Sequence, residues 1–399
     1  MANKVVRLLD RVFGRVLAAD EQALVRKARR NTGLRDFGDD LHLEPLRILC
    51  EHTRHGKPMT AFGRISTRVD LRMRLQNKLR IHSLLSDHPE ILQQPVHQPI
   101  FILGLPRTGT TLLHRLLAVD AGNRALRTWE MVQPVPPPEP DALDSDPRIG
   151  RVEKAMDLLD HVAPAVKMMH ETRSNLPDEC LLLMANGLVS GLYCASWDSP
   201  YLDWFMKQDH TPAYRFHKKQ LQLLQWKFSP RRWVLKAPWH LYCLGSLLNV
   251  YPDARIVQLH RDPLEILPSL ASLWTTLRAA MYEDVDPMAV GAEATMRASS
   301  LLNRGMELRA DEERKAGSEA VFQDVSYLEF VENPIGTVAK IYAGFGLELG
   351  ERAASNMHRY LEENRQGKYG KHQYQLERFG LEAETQRENF RAYCERFEV

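Results

Sequence analysis

Pro99-Ile100-Phe101-Ile102-Leu103-Gly104-Leu105-Pro106-Arg107-Thr108-Gly109-Thr110-Thr111-Leu112-Leu113-His114-Arg115-Leu116-Leu117-Ala118 decides the fold. Its first apolar residues, Ile100 to Leu103, are bounded by Pro99 and Gly104, which suits a short buried strand. Leu112, Leu113, Leu116 and Leu117 recur at i, i+1, i+4 and i+5, the buried face of a helix. Between strand and helix lies Gly104-Leu105-Pro106-Arg107-Thr108-Gly109-Thr110-Thr111. Backbone N–H groups at a helix N-terminus lack intrahelical partners, and the helix dipole adds positive potential there. Glycines let that backbone approach an anion closely, while threonine hydroxyls add donors. The segment predicts a strand, a phosphate cradle and a helix.

Working outward, further strands are expected at Trp233 to Leu235, Arg255 to Leu259 and Ala320 to Val325, each followed by helix-like sequence. Strand and helix alternate, so the predicted fold is α/β, a P-loop-like parallel sheet flanked by helices on both faces. Residues 1–95 read as an N-terminal helical extension, and 96–399 as the α/β domain with a helical insertion at about 150–228. The run Pro134 to Pro147 is too rich in proline for regular structure and reads as a surface loop. Val5, Leu9, Val12 and Val16 form one helical stripe, with Arg7, Arg11 and Arg15 on another. Such a helix packs on the body or on a second copy of the chain in a homodimer. Peripheral contact with a membrane surface and an organellar presequence are the alternatives. Leu71, Leu75 and Leu79 lie among Arg68, Arg72, Arg74, Lys78 and Arg80, the pattern of a solvated amphipathic helix. The aromatic residues Trp197, Tyr201, Trp204, Phe205, Tyr214, Phe216 and Trp226 fit a helix–helix core better than an acceptor pocket.

Composition narrows the classes. The 399 residues are 44% hydrophobic and 26% charged, enough for a sizeable core. Lys and Arg number 53 against 51 Asp and Glu, a formal charge of +2, which argues against a broadly basic nucleic-acid binder. The five cysteines are scattered, with no CxxC pair, so neither a disulfide framework nor a zinc knuckle is written here. A reducing, cytoplasmic location is expected. No apolar run approaches the ~20 residues of a membrane span.

The loop departs from the nucleotidase pattern. A P-loop enzyme needs G-x-x-x-x-G-K-[ST], with lysine on the outer phosphates and a hydroxyl holding magnesium. Here Thr110 stands at the lysine position and Arg107 lies inside the loop. The later strands end in Lys236 and His260-Arg261 rather than in an acidic magnesium ligand. One phosphate and no metal are expected at this loop, against a small-molecule kinase. A second cluster, His260-Arg261-Asp262-Pro263 with Ser269 eight residues after Arg261, also follows a strand. Ligands of parallel sheets bind beyond the carboxyl ends of strands, so Arg261 is expected to face the crevice of the phosphate loop and take a second phosphate.

GLPRTGTT at the loop, VLKAPWHL at a strand end and HRDPLEILPS after the next strand resemble the sulfotransferases that use 3′-phosphoadenosine-5′-phosphosulfate (PAPS). The likeness covers roughly residues 95–379 and is greatest to bacterial members with an Arg-type loop, similar in site logic to the tyrosylprotein sulfotransferases. It implies a sulfuryl transfer from PAPS to a hydroxyl or amine of a small-molecule acceptor. A lipophilic acceptor follows only from the alternative reading of the aromatic insertion as a pocket. By this resemblance Arg107, Thr108, Gly109, Thr110 and Thr111 bind the 5′-phosphosulfate, and Arg261 and Ser269 hold the 3′-phosphate. Tyr327 matches a tyrosine near the nucleotide, and Arg365 to Gly370 echoes an R-x-G-x-x-G motif. A P-loop kinase and a non-catalytic nucleotide-binding protein are the alternative functions.

Charge builds on oxygens during such a displacement, so positioned cations supply much of the catalysis. Arg107 is the natural clamp, with two parallel donors and permanent charge. Lys236 is the second catalytic candidate. The acceptor hydroxyl also needs a base. Glu130, in Arg127-Thr128-Trp129-Glu130, is preferred, with His240 and His170 as rivals. Pro177-Asp178-Glu179-Cys180 ahead of Leu181 to Met184 reads as a helix cap.

Overall fold

A computed structural model describes residues 19–162, 172–196, 200–228, 231–316, 322–364 and 375–399. The helical stripe at Val5 to Val16, Trp197, His170 and the Arg365 to Gly370 motif lie outside them. Helices α1 (Glu21–Thr32), α2 (Leu43–His55) and α3 (Ala61–Asp87) come first. Strand β1 (Ile100–Leu103) and helix α4 (Thr110–Ala118) follow, then β2 (Asn123–Ala125) and α5 (Thr128–Val132). The insertion comprises α6 (Pro147–Val162), α7 (Cys180–Met184), α8 (Gly191–Ser196), α9 (Pro200–Lys207) and α10 (Thr211–Gln225). The chain then returns through β3 (Arg232–Lys236), α11 (Leu244–Val250), β4 (Arg255–His260), α12 (Pro263–Met281) and α13 (Pro287–Ala316). It closes with β5 (Phe322–Ser326), α14 (Tyr327–Glu332), α15 (Pro334–Gly344), α16 (Glu351–Glu363) and α17 (Ala383–Phe397). Among the described residues no helix is long and apolar enough to cross a membrane.

The sheet is parallel throughout, in the order β2-β3-β1-β4-β5. Strand β1 is central: Ile100 pairs with Val234 on one side and Arg255 on the other. All four β1 residues are fully buried, as a strand covered on both faces requires. Phe101 and Leu103 join one core with α1–α3 and the insertion, and Ile100 and Ile102 join the other with α4 and α15. This matches the fold expected from the alternation of apolar segments.

Two expectations need correction. Leu71, Leu75 and Leu79 of α3 are fully buried, and so are Arg74 and Lys78, so this helix is part of the core rather than solvated. Arg74 Nε donates to Asp70 Oδ1 at 3.0 Å, its Nη1 donates to Leu182 O at 2.9 Å, and Lys78 Nζ pairs with Asp39. Paired in this way, long cations can enter a core without stranding their charge. Strand β2 was not anticipated either. Its three residues Asn123-Arg124-Ala125 form no apolar run, and they become a strand by pairing with β3. The aromatic residues of the insertion do pack as core: Tyr201, Phe205, Tyr214 and Phe216 are buried, with Trp204 and Trp226 partly buried against them.

Candidate active site

The turn after β1 has the backbone its residues imply. Gly104 has φ 144° and Gly109 φ 89°, both in the region that favours glycine. A Cβ on Gly104 would stand 2.8 Å from Thr108 Oγ1 and 2.9 Å from Leu259 O, so the loop could not close on β4 with a larger residue. Thr108 is buried and donates to Leu105 O at 2.7 Å. Arg107 has φ 75°, a conformation that costs a non-glycine residue about 1–3 kcal/mol and is found mostly where function requires it. Its surroundings hold it there. Arg107 Nε donates to Ser269 Oγ at 3.1 Å, and Arg261 Nη1 donates to Arg107 O at 2.8 Å.

Those two contacts bring the end of β4 and helix α12 onto the loop. Asp262 caps α12 by accepting from Leu264 N at 2.8 Å, and Pro263 occupies the first turn, where no N–H is missed. The guanidinium of Arg261 also lies 4.1 Å over the ring of Tyr327 and donates from Nε to Glu265 Oε2 at 2.9 Å. Tyr327 in turn flanks the loop, 3.2 Å from where a Cβ on Gly109 would be. Arg107, Arg261, Ser269 and Tyr327 therefore share one cleft, at the carboxyl ends of β1 and β4, as the motif order suggests.

Strand β3 delivers Lys236 to the other side of this cleft. Its side chain is buried, and Nζ donates to Thr111 Oγ1 at 3.4 Å and to Glu179 Oε1 at 2.5 Å. Glu179 is the residue that sequence reasoning passed over. It stands at the N-cap of α7, yet its carboxylate makes no cap bond and instead turns to Lys236. It is brought there by a short backbone ladder: Thr128 N donates to Leu176 O at 3.1 Å and Asp178 N to Leu126 O at 2.9 Å. Only an acidic residue in a Pro-Asp-Glu run ahead of an apolar helix marked it in the sequence, and that pattern belongs equally to an ordinary cap.

The three expected bases fare differently. Glu130 is 1% exposed, and both its oxygens are committed: Oε1 accepts from Arg124 Nη2 at 2.7 Å and Oε2 from Arg127 N at 3.0 Å. It faces Arg124 on β2, at the edge of the sheet, and not the Lys236–Thr111 pair. His240 is buried beside the ring of Phe101 and shares a hydrogen bond of 2.6 Å between Nδ1 and Tyr214 OH, with its Nε2 buried and unpartnered. Burial pushes its pKa well below the usual value, and the charges of His217 and Lys236 add to the effect, so the ring is neutral at physiological pH. His170 is outside the described residues.

Residues 99–351 match the sulfotransferase family, and the chain belongs to it. The crystal structure of sulfotransferase STF1 from Mycobacterium tuberculosis H37Rv superposes with a TM-score of 0.83 at 32% identity, covering 94% of this chain and 99% of that one. Sulfotransferase STF9 from Mycobacterium avium gives a TM-score of 0.83 at 27% identity, covering 95% and 96%. The omega-hydroxy-beta-dihydromenaquinone-9 sulfotransferase Stf3 of Mycobacterium bovis is 26% identical over 304 residues, 70% of either chain. The protein is a sulfotransferase, and these relationships lend no support to the kinase alternative.

Proposed function

We propose that the enzyme transfers the sulfuryl group of PAPS to a hydroxyl of a lipophilic small molecule by in-line displacement. The observation that carries the donor assignment is Arg261, which reaches the carbonyl of Arg107 while stacked on Tyr327. A cation so close to a phosphate loop, on a neighbouring strand, suits a nucleotide with a second phosphate. In this reading Arg107, Thr108, Gly109, Thr110 and Thr111 hold the 5′-phosphosulfate, Arg261 and Ser269 hold the 3′-phosphate, and Tyr327 lies beside the nucleotide. The loop's N–H groups and these side chains are all donors, as an anion requires.

The acceptor oxygen forms its bond to sulfur as the bond from sulfur to the phosphate oxygen breaks. Negative charge grows on the departing bisphosphate, where Arg107 and Lys236 can stabilise it. We assign the acceptor's proton to Glu179 rather than to Glu130. Glu179 shares Lys236 with the loop residue Thr111, whereas Glu130 faces Arg124. The lipophilic acceptor is supported by the name of the Stf3 relative, a sulfotransferase of a hydroxylated menaquinone.

Calorimetry with adenosine 3′,5′-bisphosphate (PAP) and AMP tests the donor. The wild type should prefer PAP, and Arg261→Ala should lose that preference. Equal affinity of the wild type for both nucleotides would overturn the two-phosphate scheme. Turnover should also survive EDTA, since the cations invoked all belong to the protein.

A further inference from the structure

The open edge of β2 carries a cavity of about 260 Å³, apart from the cleft just described. Among the described residues, four arginines, Arg115, Arg124, Arg127 and Arg231, line it with a single carboxylate, Glu130. Arg124 is its most buried cation, 8% exposed and stacked 3.8 Å over the ring of Phe228. It donates from Nη2 to Glu130 Oε1 at 2.7 Å and to Leu224 O at 2.9 Å, but its Nε is buried with no hydrogen-bond partner among the described residues. Buried polar groups are nearly always paired, and an anion in this cavity would compensate the positive charge gathered around that N–H. The surrounding charge agrees. Arg127 and Arg231 both act on Arg124 repulsively, and Glu130 is the one acidic group that opposes them from the lining. Arg127 is engaged by Asp144 and Asn175, at 2.6 Å and 2.8 Å, and that aspartate is largely exposed on the outer side.

We propose that this cavity is a second anion site, which takes a phosphate or sulfate group independently of the loop at 104–111. Guanidinium groups present planar forks of donors that match tetrahedral oxyanions, and several converging forks outcompete water for a dianion. The volume suits the inorganic ion or the terminal group of a small monoester. Its wall is continuous with the segment that presents Glu179: Asn175, Leu176 and Pro177 also line it. The site needs no assumption about the donor nucleotide.

Titration of the full chain with inorganic phosphate, followed by calorimetry, tests it. Arg231→Gln and Arg115→Gln change partly or fully exposed residues, so the fold should persist, and each should weaken one class of phosphate binding at least tenfold. Arg107→Ala should leave that class in place, and Arg231→Lys should retain part of it. Loss of all phosphate binding in Arg107→Ala overturns the proposal, as does unchanged binding in both Arg115→Gln and Arg231→Gln. Phenylglyoxal labelling read by mass spectrometry gives an independent check, because phosphate should protect Arg231 in the Arg107→Ala protein. Lack of protection there overturns it too. Repeating the titration with phenyl phosphate separates a monoester site from one restricted to the inorganic ion.

Discussion

Lys236–Glu179 and Arg124–Glu130 are both buried cation–carboxylate pairs, and both lie beside the ladder of residues 126–129 and 174–178. They differ in what is left over. Glu130 is sealed, with one oxygen on Arg124 and the other on the N–H of Arg127, the residue that precedes its own helix. Glu179 keeps 19% of its side chain exposed, and its lysine also reaches Thr111 of the phosphate loop. A carboxylate with both oxygens on fixed partners is part of the frame. One that shares its lysine with the loop at 104–111 has a second neighbour through which the proposed chemistry could act. The type of residue is the same, and only the second neighbour separates the structural pair from the one proposed to act on substrate.

The largest effect that could break this comparison comes from Lys236. Lys236→Ala should lower single-turnover transfer by about 10³-fold, the scale of one lost charge-stabilising donor, and weaken PAP binding by a smaller factor. Full turnover in that variant would make the cleft pair structural as well. The two carboxylates should then respond in opposite ways. Glu179→Gln should cut kcat by about 10²- to 10³-fold. Its loss of urea stability should be smaller than that of Glu130→Gln, because Glu179 keeps 19% of its side chain exposed and water can reach the pair. Glu130→Gln should instead cost about 3 kcal/mol of stability by stranding the buried Arg124, with turnover per folded molecule preserved. A reversed pattern would exchange their roles.

A double variant sharpens the structural half. Arg124→Met with Glu130→Leu should recover most of the stability that Glu130→Gln loses, because replacing both ions removes the desolvation penalty along with the pair. Urea denaturation of the three proteins measures this directly.

The smallest expected effect concerns pH. His114 of α4 is buried against β3, with its Nε2 3.1 Å from Val234 O. Its pKa is depressed to about 3, chiefly by burial and further by the charge of Lys236. His217 is likewise held at about 3 by burial, and His210 at about 4. The unfolded chain binds protons at these sites below about pH 6.5, while the native state stays neutral. Stability should therefore be full above that pH and fall as pH drops toward these native values, by up to about 1.4 kcal/mol per pH unit for each histidine. His114→Gln, which keeps a donor for Val234 O, should flatten the profile by one proton, as melting temperatures at pH 7, 6 and 5 would show.

Legibility in the sequence followed the range of the interactions. The strand, loop and helix of residues 100–118 could be read because the apolar run, the helical spacing and the glycines at positive φ are local signals. This is so even though the strand's own hydrogen bonds go to β3 and β4. The meeting of Arg261 and Ser269 with Arg107 could be read as well, since a parallel sheet gathers its strand ends on one edge. Strand β2 was hidden because Asn123-Arg124-Ala125 carries no apolar pattern and is held by its partner strand and by contacts such as Asn123 Nδ2 to Tyr342 OH at 2.7 Å. The burial of Arg74 and Lys78 was hidden for a similar reason, because their partners, Leu182 O and Asp39, lie far away in the chain.

The order of apolar and glycine-rich segments was thus enough to determine the α/β class, the glycine turn after β1 and the side of the sheet on which Arg107, Arg261 and Lys236 gather. Tertiary structure alone decided which glutamate enters that cleft. Glu130 is tied to Arg124 six residues away, while Glu179 is carried to Lys236 by backbone pairing between segments about fifty residues apart. Nothing in local propensity encodes that pairing, because each strand of the ladder finds its hydrogen-bond partners only when the whole insertion packs against the sheet.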